Sequence, residues 1–238
     1  MADQLNEMIG KLNDAHGENL KSVVIYGSAA ASAEAGKDRP KNLLVVLDEI
    51  TPEDLHSAHP VAEWWRAQGN PVPIYFTSRE IKDSSDVFPM EFIDMSRSRR
   101  VLHGSDPFER LEVPTYNLRH QLEYELRGKL LRLRTVYISV AENPDRLARL
   151  MSDSLESFAI LFRHALGVLG VDAPYDKREC VLKLVEVLKL DRAVFLRIFE
   201  YAADEEIWLE AETRQTFAGY LVQIERVIDA IDSLPGER

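Results

Sequence analysis

The residues best equipped for chemistry in this sequence fall into three groups. The densest basic cluster is Arg97, Arg99 and Arg100 with His103. It could contact a triphosphate or an acidic partner, and its plainer reading is a solvated sheet edge that discourages strand pairing. A second group, Arg119, His120, Glu123, Arg127, Arg132 and Arg134, follows one helical pattern. Glu123 and Arg127 have the i, i+4 spacing of a surface ion pair, or they could face a cleft and touch a substrate. The third is Gly27-Ser28, which closes the apolar run Val23-Val24-Ile25-Tyr26. Taken alone it is a tight turn where a strand must end. Other chemistries find no support. His16, His56 and His59 have no ligand spacing that suggests zinc. Ser152, Ser154 and Ser157 lack a Gly-x-Ser-x-Gly context. The single cysteine, Cys180, sits in an apolar run and reads as core.

The elements that must position these groups follow from periodicity. Residues 3–18 carry Leu5, Met8, Ile9 and Leu12 at helical spacing, with Gly17 as a stop. Lys21 to Tyr26 and Leu43 to Leu47 are continuous apolar, β-branched runs, the pattern of strands buried on both faces. Residues 29–41 have the composition of a loop. Thr51-Pro52-Glu53-Asp54 predicts a helix start, with Thr51 as N-cap, Pro52 at N1 and Asp54 at N3. Val72–Thr77 reads as a third strand, 78–84 as a short helix, Phe88–Met95 as a fourth strand and Arg99–Gly104 as a short edge strand. Beyond Pro114 no strand signal survives. Five helices are expected, near 116–141, 144–169 (Asn143 as cap), 176–189, 191–203 and 205–232. The fold class is therefore α/β (α+β): a mixed sheet with flanking helices at 1–108, then an all-helical up-down bundle at 112–238.

Composition narrows the partners. The chain has 238 residues, 45% hydrophobic, and a formal net charge of −11. Such a chain repels a phosphate backbone, so no nucleic acid is expected. Small nucleotides are still admitted, because backbone amides and magnesium bind them. No apolar run approaches the roughly 20 residues of a membrane span. One cysteine and a polar start without a signal-peptide pattern point to a cytoplasmic protein.

The order strand, Gly27-Ser28, loop of small and polar residues, second apolar strand Leu43–Leu47 resembles the DNA-polymerase-beta-like nucleotidyltransferase superfamily. The run from Phe88 to Phe108 is similar to that superfamily's third active-site strand and the edge strand after it. The helical half is similar in arrangement to that of the kanamycin-nucleotidyltransferase-like members. The resemblance implies a nucleoside triphosphate gripped by the Gly27-Ser28 turn through backbone N–H groups and the hydroxyl. It also implies two Mg²⁺ ions on two carboxylates one residue apart at the start of the second strand, which share a strand face. A third carboxylate on a neighbouring strand would orient the attacking hydroxyl.

Laid on this pattern, the paired acids fall at Pro40 and Asn42. Proline has no side-chain oxygen, and asparagine offers one neutral carbonyl where Mg²⁺ prefers carboxylate. Asp38 shares their alternation parity but lies roughly 13 Å from Asn42 along an extended strand. Glu91 is the better positional match for the catalytic third acid, and a strand would put Asp94 on the opposite face. Gly27, Ser28 and Asn42 are the expected nucleotide-binding residues, with no residue assigned to a metal. The expected function is a nucleotidyltransferase-fold protein with a degenerate metal site, a nucleotide binder or scaffold, with a homodimer as the candidate assembly. The alternative is an active transferase that moves a nucleoside monophosphate onto a small hydroxylated acceptor or a protein. Mg²⁺ would be a cofactor only in that case.

Overall fold

The computed structural model describes residues 2–31, 40–203 and 210–234. The chain divides into two compact units, Met1–Pro114 and Thr115–Arg238. In the first unit, α1 (Ala2–His16) leads through a 3₁₀ turn, Gly17–Asn19, into β1 (Leu20–Tyr26). A helical turn, α2 (Ser28–Ala31), follows. Next come β2 (Asn42–Leu47), α3 (Pro52–Ala67), β3 (Ile74–Thr77), α4 (Ser78–Asp83), α5 (Pro89–Arg97) and β4 (Arg99–Gly104). The sheet order is β3-β2-β1-β4. Strand β1 is central and antiparallel to both β2 and β4, and β3 runs parallel to β2. The sheet is mixed, as the sequence predicts.

The apolar runs form central strands because they have a core to enter on each face. Val23, Ile25, Leu43, Val45 and Leu47 point to one side, where Leu5, Met8 and Leu12 of α1 and Val61 and Trp65 of α3 cover them. Val24, Leu44 and Val46 point to the other, against Ile81, Phe92, Met95 and Phe108. Trp65 is fully buried and Trp64 is half-buried beside it, so one of the two adjacent tryptophans is core.

The start of α3 matches its sequence signature. Thr51 caps the helix, the Asp54 carboxylate accepts a hydrogen bond from the Thr51 amide at 2.9 Å, and Pro52 fills the position that needs no N–H. Asp54 also accepts from the Asn19 amide at 2.9 Å. These bonds, first those from Thr51, hold its carboxyl below the usual carboxylate range.

His16, at the end of α1, is a buried imidazole whose ring nitrogens make no hydrogen bond among the described residues. It lies edge-on to Tyr75, with Nδ1 3.9 Å from Asp54. Burial lowers its pKa, and the nearby Asp54 carboxylate only partly opposes that. The folded state therefore disfavours protonation of His16, while the unfolded chain takes up a proton near the ordinary value of 6.5. Stability should be fully present above that pH and fall as pH drops below it, by at most about 1.4 kcal/mol per pH unit. Thermal melts from pH 7.5 to 5 test this: His16→Phe should flatten the dependence between roughly pH 6.5 and 5.

One element departs from expectation. Phe88–Met95 is not a strand; Pro89–Arg97 is a helix. Pro89 takes N1, where its missing N–H is harmless, whereas in a sheet it would leave a ladder bond unmade. Phe92 and Met95, three apart, are the buried pair that docks α5 on the sheet. The alternation of Phe88, Met90 and Phe92 fits a strand equally well, so periodicity alone is ambiguous there. The expected loop at 29–41 begins with the turn of α2, and residues 32–39 lie outside the described residues.

The second unit has five described helices: α6 (Thr115–Val140), α7 (Pro144–Val168), α8 (Lys177–Leu188), α9 (Arg192–Ala202) and α10 (Glu210–Asp232). Asn143 caps α7 by accepting from the Arg146 amide at 2.9 Å. Its core is aromatic: Phe158, Phe162, Phe195 and Tyr220 are fully buried. Their rings meet edge-on across α7, α9 and α10 at centroid distances of 6.2–6.5 Å. Cys180 is buried, its thiol 3.7 Å from the Ala159 carbonyl, a core residue as its neighbours predict. Glu123 and Arg127 form the expected i, i+4 pair at 2.7 Å. On α6, Tyr124, Leu131 and Ile138 are exposed apolar residues seven apart.

Candidate functional site

The expected site residues gather in part at one end of the first unit's sheet. β1 ends at Tyr26, and Gly27 follows with φ of +78°. Glycine adopts that left-handed conformation without the penalty an L side chain would meet. The Gly27 amide donates to the Ser98 carbonyl at 2.8 Å, and its carbonyl accepts from the Ala30 amide at 2.9 Å. The turn is thereby tied both to the start of β4 and to α2. Ser28 opens α2, and its side chain lies outside the described residues.

Asn42 opens β2 directly opposite Tyr26. Sheet pairing thus brings Asn42 and Gly27 to the same edge although 15 positions separate them. By alternation Asn42 shares a face with Leu44, and it is partly buried. Pro40 is exposed, and Asp38 lies outside the described residues. Between Pro40 and Asn42, Lys41 is buried, at 6% exposure. Its amide donates to the Asn70 side-chain carbonyl at 3.0 Å, and the Asn70 amide reaches the Trp65 carbonyl at 3.4 Å. Asn70, just beyond α3, therefore holds the entry to β2.

Glu91 does not join this edge as a strand residue. It sits exposed in the first turn of α5. On that helix Glu91 and Asp94 are one turn apart on the same side, where a strand would have opposed them. The strand that does flank β1 is β4, and it opens with Arg99 opposite Tyr26 and Arg100 opposite Ile25. The edge therefore receives two arginines from its neighbouring strand.

Arg99 is committed to structure. Its guanidinium meets Asp106 from Nε at 2.9–3.0 Å and Nη2 at 2.8 Å, bonds the Ser96 carbonyl, and stacks over the Phe108 ring at 5.7 Å. Burial pushes the Asp106 carboxyl up, but the bonds from Arg99 and the Phe108 amide outweigh it and leave the pKa lowered. Arg100 is exposed and has no ion-pair partner among the described residues. The Tyr26 hydroxyl has its pKa raised by burial.

Pro40 and Asn42 supply no carboxylate, and the flanking strand brings cations. Among the described residues no group of three His, Cys, Asp or Glu side chains is placed to hold a metal ion. The edge holds a glycine turn, with the Asn42 carboxamide and the Tyr26 phenol on one face and the Arg100 guanidinium, paired with Ile25, on the other; backbone amides and a guanidinium both suit an anionic ligand.

Lys41, Asn70 and the Arg99–Asp106 clamp were not indicated by sequence reasoning. A polar residue next to a strand gives no sign of what it will bond 29 positions away. In sequence, Gly69-Asn70-Pro71 is a helix-stop pattern, in which Asn70 reads only as a turn residue.

The chain thus combines a four-stranded mixed sheet with flanking helices and a helical unit. It is similar to a solved structure, that of the spectinomycin adenyltransferase AAD(9) from Enterococcus faecialis with ATP and spectinomycin. The two share 12% identity and a TM-score of 0.56, over 97% of this chain and 99% of that one. The likeness is one of fold. No protein-family model matches the chain, and no curated protein does.

Proposed function

We propose that this is a nucleotide-binding protein of nucleotidyltransferase fold with little or no two-metal nucleotidyl transfer. The observation that carries this reading is the pairing of Tyr26 with Asn42 on one side and Arg99 on the other. A carboxamide and an Asp106-bound guanidinium flank Tyr26, where the resemblance calls for carboxylates, and this supports the reading. A triphosphate would be met by the backbone amides after Gly27 and by Arg100, both able to bind phosphate without a metal. Asn42 would bond a ribose or base edge. The fold's likeness to an adenyltransferase structure with ATP supports the nucleotide class.

Calorimetry with ATP in the presence of Mg²⁺ or EDTA tests this. Affinity should agree within about twofold in the two conditions, and Arg100→Glu should weaken it about tenfold, the size of a lost charged hydrogen bond. Labelled AMP should not transfer to an acceptor, and Asn42→Asp should not switch transfer on while Pro40 remains. Magnesium-dependent binding together with AMP transfer would overturn the reading.

The competing reading is an active transferase acting on a small hydroxylated acceptor. It draws on the nearly complete coverage of both chains in the comparison with the spectinomycin enzyme. A scaffold role as a homodimer draws on the exposed Tyr124, Leu131 and Ile138 stripe, whose heptad spacing suits a helix–helix contact.

A further inference from the structure

At the end of the sheet away from Gly27 the first unit holds a cleft of about 240 Å³. Ser22 and Val46 of the sheet line it, together with Lys82 of α4 and Arg110 of the segment after β4. Ser22 lies five residues before Gly27, roughly 16 Å along β1, so this is a separate place from the edge described above.

The position of Ser22 follows from a bulge. Leu20 pairs with Leu47 and Ser22 with Val46, so Lys21 is an extra residue in β1. That insertion resets the alternation: Leu20 joins the core under α1, while Ser22 turns to the face of Val24 and Val46. Ser22 is 1% exposed, and its hydroxyl has no hydrogen-bond partner among the described residues. A buried hydroxyl left unpaired is costly and uncommon in a folded protein. Here it belongs to a residue that lines an open cleft.

The charges around it favour an anion. Lys21, Lys82 and Arg110 line the cleft with Asp106 and Glu109. Asp106 is already engaged by Arg99, and Lys21 lies 3.7 Å from Asp48. The side chains of Lys82 and Arg110 have no ion-pair partner among the described residues, leaving two cations against Glu109. The volume is below that of pockets that enclose drug-sized ligands and equals roughly eight waters, which suits a small tetrahedral anion and not a nucleotide.

We propose that this cleft binds a phosphate group, as inorganic phosphate or a small phosphomonoester. The Ser22 hydroxyl donates to one phosphate oxygen, and Lys82 and Arg110 neutralise the charge.

Calorimetric titration of the full chain with inorganic phosphate and, separately, glycerol 3-phosphate tests the site and tells its two ligand sources apart. One saturable phosphate site is expected. Lys82→Glu combined with Arg110→Glu should weaken it at least tenfold, while Lys183→Glu in the helical unit should change nothing. Ser22→Ala removes only an unpaired hydroxyl, so the ligand-free protein should melt no lower, yet phosphate affinity should drop about fivefold. A merely structural serine would show the reverse. The proposal fails if phosphate does not bind, if the double charge reversal leaves binding intact, or if malonate binds more tightly than phosphate.

Discussion

Gly104→Ala is expected to destabilise the first unit by roughly 3 kcal/mol or more, combining left-handed strain with overpacking. Gly104 ends β4 at φ of +73°, and a Cβ there would lie 1.8 Å from the Lys21 carbonyl oxygen and 3.1 Å from the Ser22 Cα. Neither neighbour can yield cheaply. Both belong to the backbone of the central strand, and Ser22 is the residue paired with Gly104. The left-handed conformation adds about 1–2 kcal/mol for any L side chain. Gly10→Ala is the counterpart. It lies inside α1 with nothing within 4 Å of the new Cβ, so it should stabilise by about 0.5–1 kcal/mol. Differential scanning calorimetry on the two variants should show melting shifts of opposite sign, roughly 6 °C or more downward for Gly104→Ala. Equal behaviour would mean that β4 does not leave the sheet as described.

The second large effect is expected from Phe92→Ala, at about 3–5 kcal/mol. Phe92 is fully buried and meets the rings of Phe76, Phe88 and Phe108 at 5.6, 6.5 and 6.2 Å. It is the anchor of α5 on the sheet, so its loss opens a cavity bounded by three aromatic rings. The neighbouring Glu91→Ala should change stability by no more than about 0.5 kcal/mol, because Glu91 faces solvent. Denaturant titration measures the stability change, and hydrogen exchange of residues 89–97 shows where it falls. Fast exchange confined to α5 in Phe92→Ala, with β1 and β2 still protected, is the expected pattern. Uniform loss across the sheet would instead give Phe92 a role in the central core.

The Gly27 edge and the Ser22 cleft lie at opposite ends of one strand, and their local geometry has different origins. Gly27 is a turn where a strand stops, a feature written in the residue type itself. The Ser22 position depends on one inserted residue, Lys21, that no composition rule marks. A bulge is a matter of register between partners, and register belongs to the pair of strands, not to either one.

Much of the fold was legible in the residues. Val23–Tyr26 and Leu43–Leu47 had to be buried strands, because runs so apolar and β-branched need cover on both faces. Thr51-Pro52-Glu53-Asp54 specified a helix start through local hydrogen bonds alone. The five helices of the second unit followed from apolar spacing and from the Asn143 cap. The absence of acids at Pro40 and Asn42 was equally plain, since it needed only the order of the strands. Tertiary structure decided what local pattern could not. It made Pro89–Arg97 a helix, because Phe92 and Met95 found a sheet face at helical spacing where alternation had pointed to a strand. It brought Arg99 and Arg100 beside Tyr26, and gave Arg99 to Asp106. It buried Lys41 and tied the start of β2 to Asn70. Apart from the Arg99–Asp106 pair, seven residues apart, these are contacts between segments distant in the chain, and single-strand periodicity carries no information about its partner.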